Sequence, residues 1–318
     1  MRRFGITVSF FIGALTLCSV AFATCAIAKE FLKFTGGPSG GAFQYFSNGI
    51  ALRLSKNVKE LRVSNQASKG SVENIRKVNV GKADFGIAYS GDLYLARNGR
   101  LAGDTQKYLN VRAVAFLYQA PAQLAVLKGS GISEVSQLVH KRVALGDPGS
   151  GAAASAERFF KLVRLWDDID RYYLGYTNAA NAMKNGEIDA MWILAGYPTR
   201  ALIELSATQE IDLLHVYPIA AKHGLTEELP FYQPTYIPAN TYEGVNYATA
   251  SFFDSALWIA NANVPPEIVF QSLKAIYSDE GLAYLKKIKS TAEQMSVAGG
   301  LTGILTPLHK GADRFWNQ

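Results

Sequence analysis

Short apolar, β-rich runs alternate along this chain with helix-patterned stretches at a spacing that suits β-α-β units, and no other feature restricts its fold as tightly. The candidate strands are 30–36, 60–66, 84–90, 111–118, 122–129, 141–148, 171–176, 188–196 and 211–218. Between the first two, "GAFQYFSNGIALRLSK" repeats Phe43, Phe46, Ile50 and Leu54 at three- and four-residue steps, which predicts a helix with one apolar face. The expectation is an α/β fold with mostly parallel sheets.

Pro121 interrupts the long extended run 111–128, after which the alternation restarts. Proline has no N–H to give a ladder, so a strand that carries one runs at an edge or leaves its sheet. The stretch Tyr118 to Pro121 therefore reads as a crossing from a first lobe (29–119) into a second (120–244). A return is expected near 236–250, where Pro238 and Gly244 break regularity. The remainder, 245–318, reads as mainly helical and in part rejoins the first lobe.

The first residues bear on the compartment. Arg2 and Arg3 precede an apolar run from Ile6 to Phe22, followed by small-residue exits ending at Ala23 and at Ala28, the pattern of a secretory signal peptide over 1–28. An uncleaved N-terminal anchor is the rival reading, and Cys25 lacks the residues of a lipobox before it. Both cysteines, Cys18 and Cys25, fall in this leader, so the exported chain holds no disulfide framework and must rely on a core, for which its 49% hydrophobic composition suffices. The formal charge of +6 includes Arg2 and Arg3 and has no basic block, which gives no support to nucleic-acid binding and only a mild preference for an anionic partner.

Just past the leader, "FTGGPSGGAF" packs four glycines and a serine between a strand and a helix. Three readings compete: a nucleophile elbow, because Gly37, Ser39 and Gly41 spell G-x-S-x-G; a phosphate cradle; or a mouth of backbone N–H groups for another anion, with Gly40 in the turn and Phe43 opening the helix. The turn has a counterpart in "ALGDPGSGAAASAERFF", where Gly149, Ser150, Gly151 and Ala152 lead from an apolar strand into an Ala-rich helix. Helix N-termini leave backbone donors free, and glycine lets a ligand approach them. The plain alternative is that each turn merely caps its helix. A third turn follows 84–90 at Ser90-Gly91-Asp92, and Tyr89 and Tyr197 stand at strand mouths.

Enzyme readings lack their context. Ser39 would need a histidine, from His140, His215, His223 or His309, but an α/β-hydrolase elbow follows several strands and an oxyanion loop, and only one strand precedes Ser39. No Lys-Ser/Thr pair follows the glycines as a P-loop requires, and the histidines have no metal-ligand spacing. No cofactor or metal is expected.

"FTGGPSGGAFQYFSNGIALRLSK", "SKGSVENIRKVNVGKADFGIAYSGDLYLARNG", "SGISEVSQLVHKRVALGDPGSGAAASAERFF", "AMKNGEIDAMWILAGYPTRALIEL", "YIPANTYEG" and "TPLHKGADRFW" resemble, in order, the signature segments of TAXI-type solute-binding proteins of TRAP transporters. The resemblance implies a two-lobed periplasmic-binding-protein fold (type II-like), hinged between its lobes. It implies a periplasmic, non-catalytic and monomeric receptor that captures a small organic anion and delivers it to the integral-membrane TRAP permease subunits. Carried over by position, it places ligand contacts at Gly40 and Gly41, Tyr89 and Ser90, Gly149, Ser150 and Gly151, and near Gly196 and Tyr197. Tyr89-Ser90-Gly91 stands where the family usually has Gln-Ser-Asp, and Ala152 where it commonly has Thr. Those departures imply a larger, more aromatic or less polar carboxylate. The binding component of an ABC-type importer shares the expected fold and is the alternative; a secreted serine hydrolase using Ser39 and a sensory module are the others.

Overall fold

The computed structural model describes Met1 and residues 30–38, 41–59 and 61–318. The leader, with Cys18 and Cys25, lies outside the described residues, as do Ser39 and Gly40. The chain opens with β1 (Glu30–Thr35), α1 (Ala42–Asn57), β2 (Leu61–Gln66), α2 (Ser71–Asn79), β3 (Phe85–Tyr89), α3 (Ser90–Arg97) and the long β4 (Val111–Leu127). It continues through β5 (Arg142–Ala144), α4 (Gly151–Leu162), β6 (Asp170–Tyr172), α5 (Tyr176–Lys184), β7 (Ala190–Leu194), α6 (Arg200–Ser206) and β8 (Ile211–Leu213). Then come α7 (Tyr217–Lys222), α8 (Leu225–Glu228), β9 (Gln233–Ile237), β10 (Thr249–Asn261), α9 (Pro266–Ile276), α10 (Asp279–Ile288) and α11 (Lys310–Trp316). Among the described residues no helix is long and apolar enough to cross a membrane.

The strands lie in the order β2-β1-β3-β10-β4-β7-β5-β6, with β8 on β4 and β9 on β10. On one side β2, β1 and β3 run parallel, and on the other β6, β5 and β7 do. Between them β10 runs antiparallel to β3 and to β4, and β4 antiparallel to β7. The parallel triplets match the sequence expectation, and the two long strands make the whole a mixed sheet. The fold is α/β, two parallel triplets joined by two long antiparallel strands.

Two sequence expectations change here. The runs 111–118 and 122–129 form one 17-residue strand rather than two. Its partner changes at the proline: Pro121 is opposite Phe253 of β10, and Ala122 is opposite Leu194 of β7. A residue without an N–H sits where the ladder is handed from one neighbour to the next. β9 and the 13-residue β10 were not expected at all. Eleven of the thirteen residues of β10 run buried without a break from Ser251, so "TASFFDSALWIAN" has no polar-apolar alternation to announce it.

Helix α1 buries Phe43, Phe46, Ile50 and Leu54, the stripe its spacing predicts. On the β1–β3 side the core centres on Trp258 of β10, whose ring lies 5.9 Å from Phe34 and 5.2 Å from Phe85. On the β5–β7 side Trp192 stacks on Phe159 at 4.8 Å and donates its Nε1–H to Ser155 Oγ at 2.8 Å. The C-terminal segment returns to β4, where Phe116 N–H donates to the Gly300 carbonyl and His309 N–H to that of Ala113, both at 2.8 Å. Trp258→Ala empties the middle of the first core and is expected to cost about 3–5 kcal/mol, read as a lower midpoint in urea unfolding.

Candidate functional site

The opening glycines have a structural answer. A β-carbon on Gly36 would stand 2.1 Å from Ser47 Oγ, and one on Gly37 would stand 2.8 Å from Phe43 Cβ. They are glycine because α1 packs directly onto the turn. Asn74, fully buried, holds the turn from α2: its Nδ2 donates to the Gly36 carbonyl at 2.6 Å and to that of Ile87 at 2.7 Å, and its Oδ1 accepts from Thr35 Oγ1 at 2.8 Å. Gly41 is the N-cap residue of α1, and Phe43 behind it turns its ring to Tyr89, 4.9 Å between centroids.

At the second turn Ser150 Oγ accepts from Ala153 N–H at 3.1 Å, the plain capping role. Gly149 takes φ 77° and is exposed, and a β-carbon there would meet nothing within 4 Å. Gly151 is different. A β-carbon there would lie 2.6 Å from the Tyr89 ring, 2.8 Å from Asp92 Oδ2 and 2.8 Å from Ser71 Cβ, so the start of α4 is pressed against α2, β3 and α3. Ala152 is buried beside it. The two sides of the molecule are closed on each other at this seam.

Tyr89 crosses the seam. Its hydroxyl donates to the Leu194 carbonyl at the end of β7 at 2.6 Å, and the same carbonyl accepts from Tyr176 at 2.9 Å. Tyr118, within β4, stacks on Phe46 at 5.1 Å and lies 6.5 Å from Phe43. Gly196 covers it: a β-carbon there would stand 3.3 Å from the Tyr118 ring and 2.7 Å from Thr291 Cγ2. Burial pushes the hydroxyls of Tyr89 and Tyr118 well above the ordinary tyrosine value, and neighbouring tyrosines add to it. They are donors at every physiological pH. Tyr197 is half-buried one residue further on.

The third turn is occupied from within. Ser90 donates its hydroxyl to the Gly303 carbonyl, and Gly91 N–H donates to the Asp254 carboxyl at 3.1 and 3.3 Å. A carboxyl of β10 thus caps α3. Behind it Arg158 of α4 reaches across the seam: Nη1 meets Asp92 Oδ1 at 2.8 Å and Nε donates to the Tyr232 hydroxyl at 3.0 Å, with the arginine side chain 12% exposed and the aspartate 0%. Burial opposes the arginine's charge, but Tyr232, Asp92 and Asp254 outweigh it. Burial, then the negative Asp92, pushes the Asp254 carboxyl up to about 8 against the pull of Arg158 and Gly91 N–H.

Of the residues singled out in the sequence, the structure brings Phe43, Tyr89, Gly151 and Gly196 to the seam. It puts Gly37 beneath α1 and Gly149 in solvent. Sequence reasoning missed Asn74, Tyr118, Arg158, Thr291 and Asp254. The last had a signal, a lone charge inside a thirteen-residue run with no other. A surface groove of about 750 Å³, lined by Arg53, Lys274 and Glu280 among others, includes no seam residue.

Removing one partner of the buried ion pair strands the other. Arg158→Met is expected to cost about 3–5 kcal/mol in urea unfolding, and adding Asp92→Leu to recover most of it. Asp254 binds its proton more tightly folded than unfolded, where its value is near 3.8. Its contribution is therefore full below roughly pH 4 and is lost as pH rises through about 8. Asp254→Asn keeps an acceptor for Gly91 and is expected to flatten that fall in a melting-temperature series across pH 4–9.

Comparison with known proteins agrees with this architecture. A protein described as a putative L-cystine ABC transporter from Listeria monocytogenes superposes with a TM-score of 0.52 at 14% identity, over 82% of this chain and 94% of that one. The substrate-binding protein of an amino acid ABC transporter superposes with a TM-score of 0.51 at 10% identity, over 84% and 100%. Those likenesses are of fold. In sequence, residues 34–317 match the NMT1-like family, nearly the whole of the described chain, and the protein belongs to that family.

Proposed function

We propose that this chain is the binding component of a solute importer, exported by its leader, which captures a small organic anion between two lobes and hands it to a membrane permease without chemical change. The observation that carries this reading is the seam. Tyr89 and Asp92 from one side meet Leu194, Gly151 and Arg158 from the other, while two long strands join the sides. A molecule built this way opens and shuts about its connecting strands, and a solute held by both sides favours the shut form. The start of α4, with its helix dipole and glycine entry, supports an anionic group as what the site receives.

The permease is of one of two kinds. The fold neighbours named above serve ABC transporters, which supports an ATP-driven importer as the partner, and the segment resemblance supports a TRAP permease. Uptake by cells that express the chain with the permease encoded beside it separates the two: vanadate sensitivity marks the first, and dependence on an ion gradient the second.

The reading is tested by thermal shift of the chain from residue 29 onward against acetate, succinate, 2-oxoglutarate, glutamate, phenylacetate and phenylpyruvate. A concentration-dependent rise in melting temperature with one of them is expected. No rise with any, together with ester hydrolysis that Ser39→Ala abolishes, would overturn it in favour of a hydrolase. Gly151→Ala puts a methyl group into Tyr89 and Asp92 and is expected to hold the lobes apart. It should increase the radius of gyration in solution scattering and weaken the responding carboxylate about tenfold or more, the cost of one seam contact of ~1.4 kcal/mol.

A further inference from the structure

Strand β10 carries one ionisable side chain in thirteen residues, Asp254, and buries it completely. A carboxyl so placed needs a partner or a proton. It accepts from Gly91 N–H at the start of α3, where it leaves no room for a side chain: a β-carbon on Gly91 would stand 2.7 Å from Asp254 Oδ2 and 2.3 Å from the Phe231 ring. Asp92, the next residue of α3, is buried as completely. One guanidinium serves both carboxyls, for Arg158 of α4 bonds Asp92 directly and offsets Asp254 through space. Two acids and one base from three elements thus share a dry cluster at the seam.

The tie between the two helices is not a saturated one. Asp92 Oδ2 and Arg158 Nη2, the two atoms that would complete a forked ion pair, are both buried without a partner. Among the described residues no backbone bond joins α3 to α4. The other groups facing Asp254 hold their charge state. Tyr232, ahead of β9, and Tyr89, on β3, are pushed upward by burial and keep their protons, and Ala120, opposite Asp254 on β4, has none to give. The N–H groups of Gly91 and Ser255 favour the ionised carboxyl, but burial and Asp92 outweigh them. Asp254 is therefore the group of this cluster whose proton is open to exchange near neutral pH.

We propose that Asp254, Asp92 and Arg158 form a proton-operated latch: with one proton on the two carboxyls the single guanidinium balances the cluster and α4 stays against α3, and loss of that proton buries an unbalanced negative charge that parting the helices relieves. This rests on the opening motion of the solute-binding reading and adds its regulation. Once water reaches Asp254 its carboxyl returns toward the ordinary value near 3.8, so shutting takes up a proton. The shut form is favoured fully below roughly pH 4, loses ground about tenfold for each pH unit as pH rises toward about 8, and is level above it. A solute that needs the shut form would be held more tightly in acid and let go more readily in alkali.

Small-angle scattering of the chain from residue 29 onward, with no solute added, tests it at pH 5 and pH 9 in wild type, Asp254→Asn and Asp92→Asn, each first shown to melt cooperatively at both pH values. Wild type is expected to have the larger radius of gyration at pH 9. Asp254→Asn should keep its pH 5 radius at pH 9, because it has no proton to lose. Asp92→Asn should do the same, because Arg158 then takes the ionised Asp254 as its counter-charge. A wild-type radius that is equal at the two pH values overturns the latch. So does expansion of both variants at pH 9 as in wild type, which would trace the change to other groups, and so does expansion of Asp92→Asn at both pH values, which would make Asp92 a plain structural tie. None of these outcomes bears on solute capture, which the thermal-shift series decides separately.

Discussion

The antiparallel ladder between β4 and β10 carries the rest of the molecule. It runs from the pairing of Val111 with Asn261 to that of Pro121 with Phe253, and both strands are almost wholly buried. β10 lays its other edge on β3, and β4 continues beyond the proline to lie on β7. Each parallel triplet is therefore bonded to a strand that also belongs, directly or at one remove, to the opposite triplet. The two sides cannot drift apart, yet across the seam they meet through side chains rather than through a shared backbone ladder. That division between a continuous backbone bridge and a side-chain seam is what makes a hinged binding mechanism physically available.

The seam has its own internal balance. Two carboxyls and one guanidinium are buried together, and the arrangement is tolerable because the charges are not all present at once. Asp254 keeps its proton near neutral pH and serves as a neutral cap for α3, so Asp92 is left as the single counter-charge to Arg158. Had both carboxyls been charged, the like-charge repulsion in a dry setting would have worked against closure. The phenyl and phenol rings of Phe231 and Tyr232, each 5.7 Å from the guanidinium, complete its surroundings without adding charge.

How much of this could be read in the sequence depended on periodicity. The Phe43, Phe46, Ile50 and Leu54 stripe marked α1 because one face of that helix is buried and the other is wet. The short strands β1, β2 and β3 stood out between turn residues, close to their observed limits. β10 was silent for the opposite reason: buried on both faces, it has no pattern. The glycine turns were visible, but a glycine needed for close helix packing, as at Gly36, is written with the same letter as one needed for contact across the seam, as at Gly151. Tyr118 was hidden because it lies inside a strand, where an aromatic residue reads as core, and only the third dimension shows its ring against Phe46, Phe43 and Gly196. Thr291 is separated from Tyr118 by more than half the chain, and nothing local connects them.

The Leu194 carbonyl has one further property. It accepts from Tyr89 on the far side of the seam and from Tyr176 on its own side. In the opening motion proposed above the Tyr89 bond would break, but Tyr176 would remain and leave the carbonyl a donor. The released phenol meets water at the same moment. Such a motion would leave no bare buried acceptor at this carbonyl, and so no desolvation cost there. For a receptor of the kind proposed, such redundancy would leave release governed by how tightly the cargo is held.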